Sequence, residues 1–361
     1  MTKNLSRISI EPFNGDLEQL EAMAHQSWRE EYGAASFPNL YRPAFVSFLQ
    51  RTIPEPNHFL AAYRNGELLA FLANLPRRIY YGGHACRAVL SCLLVCRKEY
   101  NRQGLATALI KEAVRINREK AGYDLALLYL EKGHRSSNLI QKLKAEGENL
   151  QFLKSMFVLG RVLDLDRVVK SEGLKKWEKA AIKLWGAHRV PEAEKTREFE
   201  LVPVEKESAE AKTIRDWLNR YATSVDLSRV WQSEQELLRE LVEPGVSETR
   251  LLRKNGQPVA VFNYFLHQHI GQTVERWAWL NHVAFEGLSL TEQVQAINYL
   301  LRYLAESGVV GVIEWNRKYY PTSILYRARF FPYFRSVNLY AWVFKPEIKL
   351  RPLRNVYEVQ I

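Results

Sequence analysis

The pattern of hydrophobic and polar positions contains the same short motif twice: two apolar stretches joined by Asn-Gly. Apolar stretches at 58–63 and 68–75 flank Asn65-Gly66, a dipeptide that favours a tight turn between antiparallel strands. Asn255-Gly256 lies between two further strand-like stretches, 190 residues downstream (256 minus 66). The pattern therefore predicts a β-hairpin in each half of the chain.

A second correspondence extends the repeat beyond the hairpins. Residues Ala121–Leu130 match Ser307–Asn316 at an offset of 186 (307 minus 121), and each contains a glycine followed by a strand of buried type. Helical stretches precede both, at Leu105–Lys120 and Thr291–Glu306, with apolar residues three and four apart. In each half we predict strand, one or two helices, hairpin, long strand, helix, strand, helix and final strand. This order belongs to the α/β class, with helices on the faces of a mixed sheet.

The chain length and the repeat together predict two domains. At 361 residues and 42.1 kDa the chain is long for one core. We place the domains at 1–165 and 198–361, with a linking segment at 166–197. That segment carries an apolar stripe at helical spacing and nine basic residues against five acidic ones. We predict a linking helix that lies on the domains; a helix on a membrane surface is the alternative.

Composition narrows the class of protein. The chain is 47% hydrophobic with a net charge of +11, and its basic residues are spread along the sequence without a nucleic-acid-binding motif. We therefore expect no nucleic acid partner. Its three cysteines, Cys86, Cys92 and Cys96, cannot form a disulfide framework, and no apolar run is long enough for a membrane span. We expect a cytoplasmic protein whose oligomeric state the sequence does not reveal.

The strongest chemical signal is a turn between a strand and a helix. The apolar strand that ends at Cys96 runs through a short polar stretch into the helix that begins near Leu105. Unpaired backbone N–H groups and the helix dipole favour an anion at such a helix start. Gly104 and Ala106 keep bulky side chains out of its way. We therefore predict a site for the pyrophosphate of a nucleotide-type cofactor.

With this context, Asn101-Arg102-Gln103-Gly104-Leu105-Ala106 resembles the signature of the GNAT superfamily of N-acetyltransferases, here in a tandem arrangement of two GNAT-like domains. Asn101 stands where that family usually has Arg or Gln. The resemblance implies an acyltransferase that moves an acetyl or other acyl group from acetyl-CoA or another acyl-CoA directly to a small-molecule or peptide amine, with no metal. The cofactor-binding residues that it implies are Leu94, Val95, Cys96, Asn101, Arg102, Gln103, Gly104, Leu105, Ala106 and Thr107.

The two halves differ in what they retain of the family pattern. The second-half loop 286–291 has no Gly-x-Gly or Gly-x-Ala and carries Glu286, so we expect this half not to bind CoA. Conversely, Tyr326 stands where many members keep a tyrosine that protonates the leaving thiolate, and Ile140 is its first-half counterpart (326 minus 186). We therefore predict a degenerate second half that adds stability and part of the acceptor cleft.

Candidates for the remaining chemistry are few. Acyl transfer needs a base for the attacking amine, and the third strand offers no carboxylate. Glu131, at the end of the next strand, is the best candidate, although a solvated turn residue is the alternative. His134 is a further titratable group nearby. Cys92 and Cys96, four apart on a strand, would face one side, either as core residues or as nucleophiles.

Aromatic and basic side chains suggest where the acceptor binds. The segment from Trp28 to Phe48 is rich in aromatic residues, and Arg42 with Arg77 and Arg78 are candidates to meet an acidic acceptor. A second aromatic cluster runs from Trp315 to Phe334 and forms either an acceptor pocket or the seam between domains. The missing third-strand carboxylate leaves one alternative function, a non-catalytic acyl-CoA-binding or interaction module.

Overall fold

A computed structural model describes residues 8–53, 58–100, 103–133, 135–191 and 198–358. The first half contains seven strands and four helices in chain order: β1 (Ser9–Pro12), α1 (Leu17–Tyr32), β2 (Phe37–Pro38), α2 (Pro43–Arg51), β3 (Phe59–Arg64), β4 (Glu67–Tyr81), β5 (His84–Cys96), α3 (Leu105–Arg115), β6 (Leu125–Glu131), α4 (Arg135–Ala145) and β7 (Leu150–Val162).

Two short helices follow, α5 (Leu165–Glu172) and α6 (Lys176–Trp185), where the sequence predicted a single linking helix. Gly173, in the left-handed conformation at φ 64°, ends α5 and separates the two. The second half then contains β8 (Phe199–Pro203), α7 (Ala211–Asn219), β9 (Leu227–Arg229), α8 (Glu234–Leu241), β10 (Ser247–Lys254), β11 (Gln257–Ile270), β12 (Val274–Phe285), α9 (Leu290–Glu306), β13 (Gly311–Trp315), α10 (Ser323–Arg327), β14 (Phe331–Val343) and β15 (Val356–Tyr357).

Both hairpins lie where the Asn-Gly dipeptides predicted them. Asn65 and Gly66 have φ values of 52° and 80°, and Asn255 and Gly256 have 50° and 79°. Two successive residues with positive φ are what a type I′ turn requires, and Asn followed by Gly meets this requirement at low steric cost. The turns set the pairing of β3 with β4 and of β10 with β11.

The described strands form one continuous sheet in which the halves exchange their last strands. The main order is β1-β3-β4-β5-β6-β14-β7-β13-β12-β11-β10-β8. Strand β14, from the second half, lies between β6 and β7, while β7, from the first half, pairs with β13. Short strands cross as well, since β2 pairs with β11 and β9 pairs with β4. The predicted domain boundary near residue 165 therefore divides the sequence but not the sheet, because strands from both halves form one continuous sheet.

Helices cover both faces of the first-half sheet. Core residues of α1 and α2, among them Leu20 and Phe45, pack on one face, and Leu109 of α3 with Leu143 of α4 pack on the other. Helix α3 forms because its apolar residues recur every three or four positions and all face the sheet. No helix in the described ranges is both long enough and apolar enough to span a membrane.

Candidate functional site

The first-half sheet opens between β5 and β6. These strands run parallel and pair only at Ala88–Leu90 with Leu125–Leu127. Beyond that point β6 continues alongside β14, and β5 continues alongside β4. In the described part of the chain no strand pairs with residues 91–96 of β5 on the side that faces β6. Backbone groups at such an edge can hydrogen-bond an extended ligand.

A β-bulge lies within this open edge. Val95 pairs with Phe71 and Cys92 with Ala73, so Leu93 and Leu94 together oppose a single residue of β4. Leu93 has a φ of 55°, a left-handed conformation that is uncommon for leucine. Bulges of this kind change the direction in which backbone groups point and are frequent beside active sites.

The bulge also corrects the expectation that Cys92 and Cys96 face one side. The extra residue breaks the strand alternation, so Cys92 packs with the α1 and α2 core and Cys96 with the α3 core. Burial raises the pKa of both thiols to about 12. Because the thiolate is the reactive form, neither cysteine is suited to act as a nucleophile.

The turn after β5 leads to a helix start that has no side-chain cap. Gly104 occupies the N-cap position of α3 with a φ of 85°, so the N-cap residue itself offers no side-chain acceptor to the first N–H groups of the helix. The space where a Cβ of Gly104 would project is open to at least 4 Å. The N–H groups of Leu105, Ala106 and Thr107 lack partners within the helix, as at any helix start. This donor set fits an anion such as pyrophosphate.

The other predicted cofactor residues lie along the same path. Leu94, Val95 and Cys96 form the end of the open β5 edge, and Leu94 and Cys96 pack in the same core as Leu105. The Gln103 side chain donates to the carbonyl of Glu99 and braces the turn. Asn101 and Arg102, as well as His134, lie outside the described residues. The assignment of these residues to CoA remains a prediction.

An aromatic pocket adjoins the open end of β6. It has a volume of about 110 Å³ and combines walls from both halves. Its aromatic lining consists of Trp28, Tyr32, Trp277, Trp279, Trp315, Phe331 and Tyr333. This volume is below that of a cavity of roughly 150 Å³ that holds a benzene molecule. The pocket is therefore narrow in this structure.

Glu131 reaches this pocket and is held by two neighbours. The hydroxyl of Tyr32 donates a hydrogen bond of 2.8 Å to the Glu131 carboxylate, and the Arg335 guanidinium lies 3.8 Å from it. Burial, with the nearby Glu131 charge, raises the pKa of Tyr32 well above its usual value, so its hydroxyl stays protonated. The Glu131 side chain is 24% exposed, between the buried and the solvated extremes. The sequence did not indicate a role for Tyr32 or Arg335 in catalysis. Both residues are far from Glu131 along the chain, so their contacts with it appear only in the folded protein.

A second carboxylate, Glu172 of α5, also lines the pocket. Burial raises the pKa of Glu172, but the neighbouring His269, whose Nδ1 lies 3.9 Å from the carboxylate, together with nearby Ser36 and Arg335 outweighs burial and holds this pKa below its ordinary value. His269 stacks on Trp277 with ring centroids 5.0 Å apart and accepts a hydrogen bond from the indole of Trp279. Glu131 and Glu172 are the pocket's carboxylates among the described residues.

Tyr326, the other predicted catalytic residue, is elsewhere. It lies on α10, its side chain is 36% exposed, and it does not line the pocket that contains Glu131. Its first-half counterpart Ile140 is a buried residue of the α3 core. The structure therefore does not bring Glu131 and Tyr326 together, and the assignment of Tyr326 as a proton donor stays a prediction.

In the second half the corresponding opening is filled by the protein's own side chains. Strands β12 and β13 pair only at Trp277–Trp279 with Gly311–Ile313. Beyond that point the Arg317 guanidinium donates to the carbonyls of Leu280 and Asn281, at 3.2 and 2.8 Å. The N–H of Val283 donates to the hydroxyl of Tyr319 at 3.1 Å. These contacts are a further reason, besides the loop sequence, to expect no CoA here.

Arg317 is itself held by a buried carboxylate. Its nitrogens lie 2.8 to 3.1 Å from the oxygens of Glu314, and the two side chains are 2% and 1% exposed. Burial raises the pKa of Glu314 to about 7 although the Arg317 charge opposes this. The ion pair and its backbone contacts form a packed plug, which we call the second-half plug and define as Glu314, Arg317 and Tyr319.

The three arginines proposed to meet an acidic acceptor are not grouped at the pocket. Arg42 donates to the carbonyl of Gly245, and buried Arg77 lies 3.4 Å from the Glu358 carboxylate. Neither lines the aromatic pocket, and Arg78 does not line it either. In the part of the chain that the structure describes, no group of three or more His, Cys, Asp or Glu side chains is placed to hold a metal ion.

Comparison with known proteins gives a consistent result for the fold. Residues 15–131 match the family described as Acetyltransferase (GNAT) domain. The structure is similar to that of Saccharomyces cerevisiae N-myristoyltransferase with bound myristoyl-CoA, with a TM-score of 0.78 and 15% identity over 99% of this chain and 90% of that one. No curated protein matches the sequence.

Two structures of GCN5-related N-acetyltransferases are less similar to this one. A GCN5-related N-acetyltransferase from Anabaena variabilis gives a TM-score of 0.53 at 13% identity and covers 94% of this chain and 73% of that one. Another, from Kribbella flavida, gives 0.51 at 12% identity, covering 94% and 72%. The fold predicted from the internal repeat is confirmed.

Proposed function

We propose that this chain transfers an acetyl or other acyl group from CoA to an amine, because it has the tandem GNAT fold and its residues 15–131 match the Acetyltransferase (GNAT) domain family. The observation that carries the proposal is the gap between β5 and β6 beyond Leu90, which leads to the uncapped start of α3. The gap and the helix start follow one another along the chain. The gap suits the extended arm of a ligand, and the helix start suits an anionic group at the end of that arm.

The co-substrate would use these features in order. The pantetheine arm would pair with the open backbone edge at Leu94, Val95 and Cys96, as an added strand does. The pyrophosphate would accept hydrogen bonds from the N–H groups at the start of α3. Backbone N–H groups near the Leu93 bulge would then stabilise the negative charge on the thioester oxygen.

The reaction would be a direct transfer. The amine nitrogen attacks the thioester carbon, the C–N bond forms, and the C–S bond breaks to release the CoA thiolate. The amine loses one proton, and we assign its acceptance to the Glu131 carboxylate, which Tyr32 and Arg335 orient. The thiolate takes up one proton from water, which balances the proton that the amine loses.

The aromatic pocket would receive the amine-bearing acceptor. Its aromatic walls exclude water and suit an apolar group that carries a neutral amine, and Glu131 and Glu172 also line the pocket. The acceptor would therefore be an amine on a narrow aliphatic group, either in a small molecule or in a peptide.

The second candidate is a protein that binds acyl-CoA without transferring the acyl group. Its support is that the open β5 edge, residues 91–96, carries no carboxylate, and that Arg335 already partners Glu131.

One pair of measurements tests both functions. Isothermal calorimetry with acetyl-CoA should show one site per chain, and release of free CoA thiol should follow addition of an acceptor from a panel of primary amines. Absence of binding would overturn both candidates. Binding without thiol release for any amine in the panel would favour the second.

A further inference from the structure

Helix α6 has its apolar side facing outward. Its exposed residues Trp177, Ala180, Ala181, Leu184 and Trp185 follow a spacing of three and four, so they form one stripe on the helix. Leu184 is 93% exposed, Trp177 56% and Trp185 46%. We call this stripe the α6 outer face. Surface helices of globular proteins normally turn such a stripe toward the core.

The opposite side of α6 is firmly attached to the protein. Ile182 is buried and, with Leu174 just before the helix, lines the aromatic pocket. On the outer face itself, Trp185 at the end of the helix is also held in place, because its indole N–H donates to the carbonyl of Phe330 at 3.2 Å. The orientation of the outer face is thus fixed by packing on the inner side.

Positive charge accompanies the outer face. The stretch 175–189 contains five basic residues, Lys175, Lys176, Lys179, Lys183 and Arg189, and one acidic residue, Glu178, a net charge of +4. The Glu178 carboxylate accepts a hydrogen bond from the backbone N–H of Lys175 at 2.7 Å, so it caps the helix. Lys179 pairs with Asp166, whereas Lys176 and Lys183 form no ion pair with the described residues.

We propose that the α6 outer face docks on membranes that contain anionic lipids. A short helix with exposed tryptophan and leucine flanked by lysines is suited to lie in the interface, with its apolar side among the acyl chains and its ammonium groups at the headgroups. Tryptophan favours this region because its ring is apolar and its N–H is polar. The surface potential of anionic lipids attracts each lysine in addition.

The charge pattern disfavours the other occupants of this face. A second copy of the chain, related by twofold symmetry, would bring the lysines of one α6 against those of the other. Nucleic acid would meet the lysines, but its phosphates gain nothing from an exposed leucine flanked by tryptophans. An anionic bilayer can contact both parts of this surface, because its acyl chains accommodate the apolar side chains and its headgroups attract the lysines.

Vesicle sedimentation with the full-length chain tests the proposal. The protein should sediment with vesicles of phosphatidylcholine and phosphatidylserine, less with phosphatidylcholine alone, and less again as salt increases. Leu184→Glu should lower the partition coefficient at least about tenfold. Reversing both Lys176 and Lys183 to glutamate should lower it at least about thirtyfold, since each lysine contributes about fivefold.

Matched controls lie on other elements. Phe152→Glu alters another exposed apolar residue, on β7, and Lys212→Glu reverses an exposed lysine on α7. Both should sediment like the wild type, and Leu184→Glu should keep the wild-type unfolding temperature.

Three results would overturn the proposal: no sedimentation with phosphatidylserine vesicles at low salt, sedimentation that Leu184→Glu leaves unchanged, or self-association in the ultracentrifuge that Leu184→Glu removes without any vesicle binding. None of these depends on acyl transfer, so the docking surface and the proposed activity are tested separately.

Discussion

Both halves of the molecule contain a gap between two parallel strands of the sheet. The gap is open in the first half and filled by side chains in the second. In the first half β5 and β6 separate beyond Leu90, and the edge of β5 stays open. In the second half the equivalent gap between β12 and β13 is closed by Arg317 and Tyr319. At the repeat offset, Glu131 at the end of β6 corresponds to Arg317, two residues beyond the end of β13 (131 plus 186). A carboxylate faces a pocket in one half, and a guanidinium fills the gap in the other.

The difference shows what an opened sheet requires. Its backbone carbonyls and N–H groups must find partners, because leaving them buried and unpaired is costly. Arginine is well suited to close such a gap, since its guanidinium carries five N–H donors in one plane. Where no side chain reaches across, an incoming ligand can supply the missing partners. The first half is therefore the place to look for a ligand.

The largest expected effect is the loss of stability when the second-half plug is disrupted. Arg317→Ala should lower the free energy of unfolding by about 3–5 kcal/mol, because Glu314 would remain buried without a counter-charge. Urea denaturation measures this. Arg354→Ala, which removes an arginine that is 90% exposed and pairs with Asp226, should change stability by less than about 1 kcal/mol. Equal losses in the two variants would show that the plug has no special part in stability.

Glu131→Gln tests the matching position in the first half. It should lower kcat for acyl transfer by about 100- to 1,000-fold, because the amide cannot accept the amine proton. Acetyl-CoA affinity should stay unchanged, which calorimetry would verify. Glu306→Gln, a change at a side chain that is 64% exposed on α9, serves as the control. An unchanged kcat in the Glu131 variant would remove this residue from the mechanism.

A pair of glycine variants compares the two loops directly. Gly104→Glu places a side chain and a negative charge at the start of α3 and should weaken acetyl-CoA binding by about 100-fold. Gly287→Glu introduces the same side chain in the second-half loop, where φ is also positive at 63° and the surrounding space is also open. It should leave binding unchanged. If the two variants bind equally, the assignment of the first-half loop to CoA is lost.

The smallest effect is expected at Tyr326. Because Tyr326 is an exposed residue of α10 and does not line the pocket, Tyr326→Phe should change kcat by less than about twofold, since no contact at the reacting atoms is lost. Stopped-flow measurement of thiol release provides the test. A tenfold or greater loss would instead support the proton donor that the family resemblance implies.

Local signals made much of the fold predictable. Asn65-Gly66 and Asn255-Gly256 specify their turns through residues that tolerate positive φ, so both hairpins could be read from four residues. The helix α3 and the strand before it follow from periodicity alone. The exchange of β7 and β14 could not be predicted, because an apolar strand pattern specifies which face is buried but not which strand lies alongside.

The site was less predictable for a related reason. Leu93 takes up its left-handed conformation without a glycine or asparagine to signal it, so the bulge has no mark in the sequence. The pocket combines Trp28 and Tyr32 with Trp277 and Trp315, which come from opposite halves. Their aromatic character was visible in the sequence, but their meeting depends on how the halves cross.

The exchange of final strands constrains how the protein is made on the ribosome. Strand β6 is complete at residue 131, yet its neighbour β14 ends at residue 343, so 212 further residues (343 minus 131) must be synthesised before this edge is paired. Until then the nascent first half presents an unpaired strand, a template for aggregation with other chains. The order of synthesis thus delays assembly of the sheet around Glu131 until β14 has emerged.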